Sequence, residues 1–265
     1  MSLKRQIDLG DLEAIKRRVD SKPSLTTTPI AWGPILCRCR TEPLHYLSDG
    51  PFNQLWKHGK QMQIARILLE AGAPVDGLIT SGESPLHGAA SLGETGVAEV
   101  LIEFGADLEK RADYPGIPDG TPLDFAVHFG MVDVVDLLVG KGATILSFRM
   151  AAGAGLLDQL KKHLKPEEMV DVFRCACVCD RIEIVDYLFG EGLDVNVDIA
   201  GASGMHWAAW EAKPRMVKFL VEKGADDQLR DKKHQMTPAE WAKHRGSELG
   251  SRWGHEAVLE VLSTV

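Results

Sequence analysis

The sequence predicts an all-α chain built from repeated helix pairs, and three observations carry that prediction. Four segments open alike, at Pro43-Leu44-His45, Ser84-Pro85-Leu86-His87, Thr121-Pro122-Leu123-Asp124 and Thr237-Pro238-Ala239-Glu240. A fifth, Ser203-Gly204-Met205-His206, keeps the hydroxyl and the histidine but loses the proline. Each opening leads into small residues, such as Gly88-Ala89-Ala90 or Trp207-Ala208-Ala209, then a turn and an apolar stripe at helical spacing such as Val97, Val100, Leu101 and Phe104. The stripes close on glycine before Ala or Leu, at Gly72-Ala73, Gly105-Ala106, Gly142-Ala143, Gly192-Leu193 and Gly224-Ala225. Self-similarity of this kind marks a stack of supersecondary units.

Each residue type has a physical task in such a unit. The Ser or Thr hydroxyl caps amides left without partners at a helix N-terminus, and proline in the first turn loses nothing by lacking its N–H. Alanines let two helices approach closely. Glycine after the second helix takes up the left-handed C-cap, which a residue carrying a Cβ adopts only at about 1 kcal/mol.

The pattern T-P-L-H-x-A-A, helix, turn, helix, G-A-D resembles that of the ankyrin repeat family and is written most fully in 84–108 and 203–226. The resemblance implies a curved solenoid of antiparallel helix pairs with projecting β-hairpin loops, and a concave face of variable residues that grips other proteins. It also implies a structural role for His45, His87 and His206, whose rings tie neighbouring loops by hydrogen bonds. The irregular units and insertions resemble bacterial members more than a regular eukaryotic array.

The phase is tracked through Leu47, Ala89, Ala126, Ala151, Ala176, Ala208 and Ala242, at separations of 42, 37, 25, 25, 32 and 34 residues. Against a period of about 33, the first two carry insertions and the middle two are too short for a projecting hairpin. With a capping unit whose turn and second helix begin at Gly10-Asp11-Leu12, about eight units span one domain, 1–265. They are 1–25, 42–77, 84–111, 121–146, 147–165, 166–197, 203–231 and 237–265, with 147–165 and 166–190 expected to lack the hairpin. Pro166-Glu167-Glu168 reads as a helix start with favourable charges. The stretch 20–41 reads as an extended connection and the first hairpin, 49–60 as a long loop, and 112–120 as a lengthened hairpin.

Thirty Lys and Arg against 38 Asp and Glu give a net charge of −8, opposite to the basic footprint that phosphate neutralisation requires. No apolar run approaches the roughly 18 residues of a membrane span, and Met1 to Gly10 opens no apolar signal segment. The five cysteines, at 37, 39, 175, 177 and 179, are odd in number and lack the spacing of a secreted disulfide framework. A cytoplasmic monomer that meets neither nucleic acid nor membrane is the expectation.

No catalytic, metal or cofactor site is expected. Gly153-Ala154-Gly155 lacks the third glycine of a dinucleotide loop, and Gly140-Lys141-Gly142 lacks the phosphate-loop spacing. Neither a G-x-S-x-G elbow nor an H-E-x-x-H helix is present. Cys175, Cys177 and Cys179 leave a metal- or redox-responsive sensor as the alternative function. On a helix, however, Cys177 points about 200° away from the other two, where it fills a buried small-residue position.

The leading expectation is therefore an adaptor or inhibitor that binds a protein partner through its concave face and hairpin tips. Trp210 falls two residues before a turn, with Glu211 beside it, and Leu92, His128 and Phe129 fall in equivalent or adjacent places. Exposed aromatics on a rigid scaffold make binding hot spots. Tyr114 and Ile117 in the long hairpin, and Lys233 and His234 at the last hairpin, complete the expected contact set. Trp207 and Trp241 are assigned to packing, and Phe52 and Trp56 are divided between packing and contact.

Overall fold

The computed structural model describes residues 1–32, 39–49, 59–78, 82–249 and 254–264. Among them sixteen α-helices form eight consecutive pairs. These are α1 (Leu3–Leu9) with α2 (Leu12–Ser21), α3 (Pro43–Asp49) with α4 (Gln61–Glu70), α5 (Pro85–Leu92) with α6 (Thr95–Glu103), and α7 (Pro122–His128) with α8 (Val132–Gly140). The series continues with α9 (Phe148–Gly153) and α10 (Leu157–His163), α11 (Met169–Val178) and α12 (Ile182–Gly190), α13 (Gly204–Trp210) and α14 (Pro214–Glu222), and α15 (Pro238–Leu249) and α16 (His255–Ser263). Antiparallel hairpins join β1 (Ile30–Trp32) to β2 (Cys39–Thr41) and β3 (Ala112–Tyr114) to β4 (Ile117–Gly120).

The chain divides into two compact units, Met1–Ala126 with Asp133–Ala143, and Val127–Val132 with Thr144–Val265. In the first, α3 packs on α5, and α2, α4 and α6 follow one another. The N-terminal pair is bound in by Tyr46, buried with its hydroxyl donating to Asp8 at 2.6 Å, and by the Lys60 ammonium on the Gly10 carbonyl at 3.0 Å. In the second, α9, α11, α13 and α15 pack in sequence. The phase-setting residues Leu47, Ala89, Ala126, Ala151, Ala176, Ala208 and Ala242 are all buried, as close helix approach demands. Ser147 accepts the Met150 N–H, which makes Ala152 rather than Ala151 the true equivalent in that unit.

Side-chain size is restricted where these helices meet. A Cβ on Gly204 would stand 2.5 Å from the Phe173 ring, and one on Gly130, whose φ is +65°, would stand 2.4 Å from the Val178 carbonyl oxygen. As expected, no strand precedes α9 or the 3-10 turn (Pro166–Glu168) that leads into α11, because only seven and two residues intervene.

The helix starts hold the units in register. Ser84 and Ser203 each form a reciprocal cap with the histidine three residues on: the hydroxyl and ring Nδ1 lie 2.9 and 2.8 Å apart, and the serine N–H donates to Nδ1 at 3.1 and 3.2 Å. Asp124 and Glu240 take the histidine's place with Thr121 and Thr237, receiving the threonine N–H at 3.0 and 2.7 Å. The imidazoles also reach a carbonyl about thirty residues further along the chain. Nε2 of His87 meets the Gly120 carbonyl at the end of β4 at 3.2 Å, and Nε2 of His206 meets that of Met236 in the turn before α15 at 3.0 Å. A second link repeats in both units: the Asp107 N–H donates to Asp76 and the Asp226 N–H to the Asn196 side chain, at 3.0 and 2.9 Å.

Burial pushes His87 down to about 4 and also lowers His206. In an unfolded chain histidine titrates near 6.5. The folded state thus refuses a proton that the unfolded state accepts, so the contribution is complete above pH 6.5 and is lost as pH falls toward 4. For His87 the loss at pH 5 is about 2 kcal/mol. Urea unfolding at pH 7.5 and 5 should show this fall, and His87→Gln should show a smaller one; equal falls in both proteins would contradict it.

Candidate partner-binding site

The second compact unit gathers aromatic and cationic side chains where α11, α13 and α15 lie side by side. Trp207 and Trp210 are three residues apart on α13, so both reach the same face. Trp241 of α15 meets them edge-on, its ring 5.5 Å from each at 83° and 71°. It also meets His206 at 5.2 Å. His244, one turn further along α15, lies 6.2 Å from Trp210. The three tryptophans and His244, with Met236 and His234, line an apolar cleft of about 450 Å³, within the roughly 300–1,000 Å³ of ligand-binding pockets.

One carboxylate fixes the wall formed by residues 231–236. Asp231, 2% exposed, accepts the backbone N–H groups of Lys233, His234 and Met236 at 2.7 to 2.9 Å and the Trp241 indole N–H at 3.0 Å. Burial alone would raise its carboxyl, but these donors outweigh it and hold Asp231 at about 2. The same residue thereby orients Trp241, His234 and Met236.

Arginines border the rings. The Arg174 guanidinium lies 5.3 Å from the centre of Trp207 and makes a 3.4 Å contact with Nδ1 of His128. Arg245 lies 4.9 Å from the centre of Trp210. Glu211 is half-buried beside them; desolvation raises its carboxyl to about 7 against the opposing pull of Lys213, Arg245 and Arg174. His128 is pushed down to about 4 by burial and by Arg174 and Arg149, so it faces Arg174 as a neutral ring.

Of the expected contact residues, the structure brings Trp210 and His234 into one cleft, with Lys233 exposed beside it. Glu211 joins through the arginines, and Phe129 stacks edge-on with His128 at 4.9 Å. Leu92 and Tyr114 belong to the other compact unit, where Leu92 is half-buried at the end of α5 and Tyr114 is 39% exposed. Ile117 is a correction. It pairs across the hairpin with Tyr114 but is only 3% exposed, because its side chain occupies the space that Gly120 leaves by having no Cβ. Trp207 and Trp241, assigned to packing, also line the cleft. Phe52, Trp56 and Cys37 lie outside the described residues.

The sequence reading missed His244, Arg245, Arg174, Asp231 and Met236. The first two had a signal, since they stand two and three residues after Ala242 as Trp210 and Glu211 stand after Ala208. Cys175 and Cys177 of α11, and Cys179 just after it, are all buried. The Cys177 sulfur lies 3.1 Å from the point a Cβ on Gly204 would occupy, whereas Cys179 donates toward the Val127 carbonyl at 3.7 Å. Burial pushes Cys179 up to about 12 and also raises Cys177 well above its ordinary value, opposite to the thiolate character that metal or redox chemistry needs. Among the described residues no helix is long and apolar enough to cross a membrane.

Removing the Asp231 carboxylate leaves the indole and three backbone donors without their acceptor. Asp231→Ala should cost about 3 kcal/mol in urea unfolding and alter the tryptophan fluorescence of the folded state. A loss below about 1 kcal/mol would show that the carboxylate does not organise this wall.

Comparison with known proteins agrees with this geometry. Residues 53–149 match the family described as ankyrin repeats (3 copies), and residues 200–232 match the single ankyrin repeat. The chain is 27% identical over 177 residues to the fruit-fly (Drosophila melanogaster) transient receptor potential cation channel subfamily A member 1, covering 57% of this chain and 15% of that protein. It is 28% identical over 146 residues to a probable E3 ubiquitin-protein ligase, XBOS33, of rice (Oryza sativa), covering 55% and 24%. With the mouse (Mus musculus) B-cell lymphoma 3 protein homolog it shares 27% identity over 187 residues, covering 69% and 37%. The chain thus spans well under half the length of these relatives. Among solved structures, the human ASB11 ankyrin repeat domain aligns at 20% identity and a TM-score of 0.45, covering 100% of this chain and 97% of that one. The ankyrin repeat domain of Bcl-3 aligns at 24% and 0.43, covering 99% and 98%. With its capped helix pairs and two matched stretches of repeats, the chain belongs to the ankyrin repeat family.

Proposed function

We propose that the chain is a non-catalytic adaptor or inhibitor that grips one protein partner with the ends of its first helices and its hairpin tips. The observation that carries this reading is the aromatic cleft of Trp207, Trp210 and Trp241, open beside the exposed tip residues Lys233 and His234. Half-exposed tryptophans bordered by arginine, on helices held rigid by buried alanines, have the composition of binding hot spots. Repeat proteins carry such surfaces without any catalytic pocket. His128, Phe129, Trp210 and Glu211 form the contact set of the second compact unit, and Leu92 and Tyr114 offer further contacts in the first. A cytoplasmic setting fits the three free, buried thiols of α11 and the residue that follows it.

The double variant Trp210→Ala, Phe129→Ala should weaken binding of a captured protein partner by at least about 2 kcal/mol, roughly thirtyfold. Titration calorimetry on protein with an unaltered circular dichroism spectrum measures this. Unchanged affinity would remove these two residues as anchors.

A further inference from the structure

An aromatic-lined cleft invites two kinds of occupant. Rings attract a cation through their faces, and they also accept a bulky apolar side chain. The charges around this cleft decide between them. Arg174 and Arg245 already lie over Trp207 and Trp210, so an incoming ammonium group would meet like charge. Asp231, the carboxylate built into the wall, has its oxygens engaged by four donors. Glu211 is held partly protonated near neutral pH by its burial. Arg174 touches a neutral imidazole and an indole, and among the described residues it forms no ion pair. Lys233, exposed next to the cleft-lining His234, adds to the positive charge on this side.

We propose that this cleft takes a large aromatic or aliphatic side chain from an acidic peptide segment of the partner, whose carboxylates lie against Arg174 and Arg245. The proposal rests on the reading of the chain as a protein-binding module and adds the chemistry of what is bound. An apolar anchor desolvates the tryptophans, and Arg offers planar, paired donors suited to carboxylates. The overall charge of −8 argues against nonspecific attraction of acidic chains, so the preference would be local to this face.

The test is selection of a randomised 12-residue peptide library, displayed on phage, against the whole chain, followed by fluorescence anisotropy on the recovered sequences made as synthetic peptides. The expected peptides place Asp or Glu around a Trp, Phe or Leu. Their binding should fall at least tenfold in Trp210→Ala and at least tenfold in the pair Arg174→Glu, Arg245→Glu. Changing the peptide's own Glu and Asp to Gln and Asn should produce a comparable loss, which reads the charge requirement without altering the protein. Recovered peptides that are neutral or basic, yet weakened by Trp210→Ala, would overturn the acidic partner while leaving the protein-binding reading in place. Peptides indifferent to Trp210→Ala, or a selection that recovers none, would overturn both.

Discussion

The reciprocal cap that continues as an imidazole bridge holds this fold in register. At Ser84–His87 and Ser203–His206 the ring Nδ1 receives the serine N–H, which leaves Nε2 to donate to a carbonyl in the connection before the next first helix. One neutral side chain therefore satisfies a helix start and fastens the next unit to it. Each bond contributes only about 1 kcal/mol net, but leaving a buried partner unmet costs more, so the geometry is specified strongly. Where Asp124 and Glu240 stand instead, the helix start is still capped by the carboxylate, and Glu240 also pairs with Arg230.

The cleft is built on that device. His206 ties α13 to the Met236 carbonyl, and Asp231 gathers the amides of the same loop and the Trp241 indole. The two sets of bonds fix the distance between α13, α15 and the 231–236 turn. Three tryptophans can then meet edge-on and still leave a space of about 450 Å³ among them. Small residues make this possible on the neighbouring side, where Gly204 lets the Phe173 ring approach. Rigidity is what makes such a surface useful, because little conformational freedom is lost when a partner settles on it.

Features written in local chemistry were legible in the sequence. Serine or threonine followed three residues later by His, Asp or Glu marked the helix starts, and the spacing of small residues correctly located two units without hairpins. The distance of Trp210 from the turn singles it out as a contact residue, and the structure places it in the aromatic cleft. What the sequence concealed depends on contacts between units. Ile117 looked like an exposed loop residue, but the missing Cβ of Gly120 gives it somewhere to be buried. Asp231 is not singled out in the sequence, since nothing in its neighbourhood announces that an indole ten residues away will donate to it. Arg174 stands two residues before Ala176, where other units carry His87, Asp124, His206 and Glu240, and its own role arises only because α11 lies between His128 and Trp207.

The claim on which this account depends is that His87 and His206 are neutral bridges protonated at Nε2 alone. Nitrogen-15 NMR of the histidine rings at pH 7 distinguishes the tautomers directly. The account predicts two neutral rings with a protonated Nε2 and a bare Nδ1, His87 forming no imidazolium down to about pH 5 because burial lowers it to about 4, and His206 lowered in the same direction by its burial. Rings protonated at Nδ1, or already cationic at neutral pH, would contradict the bridging arrangement.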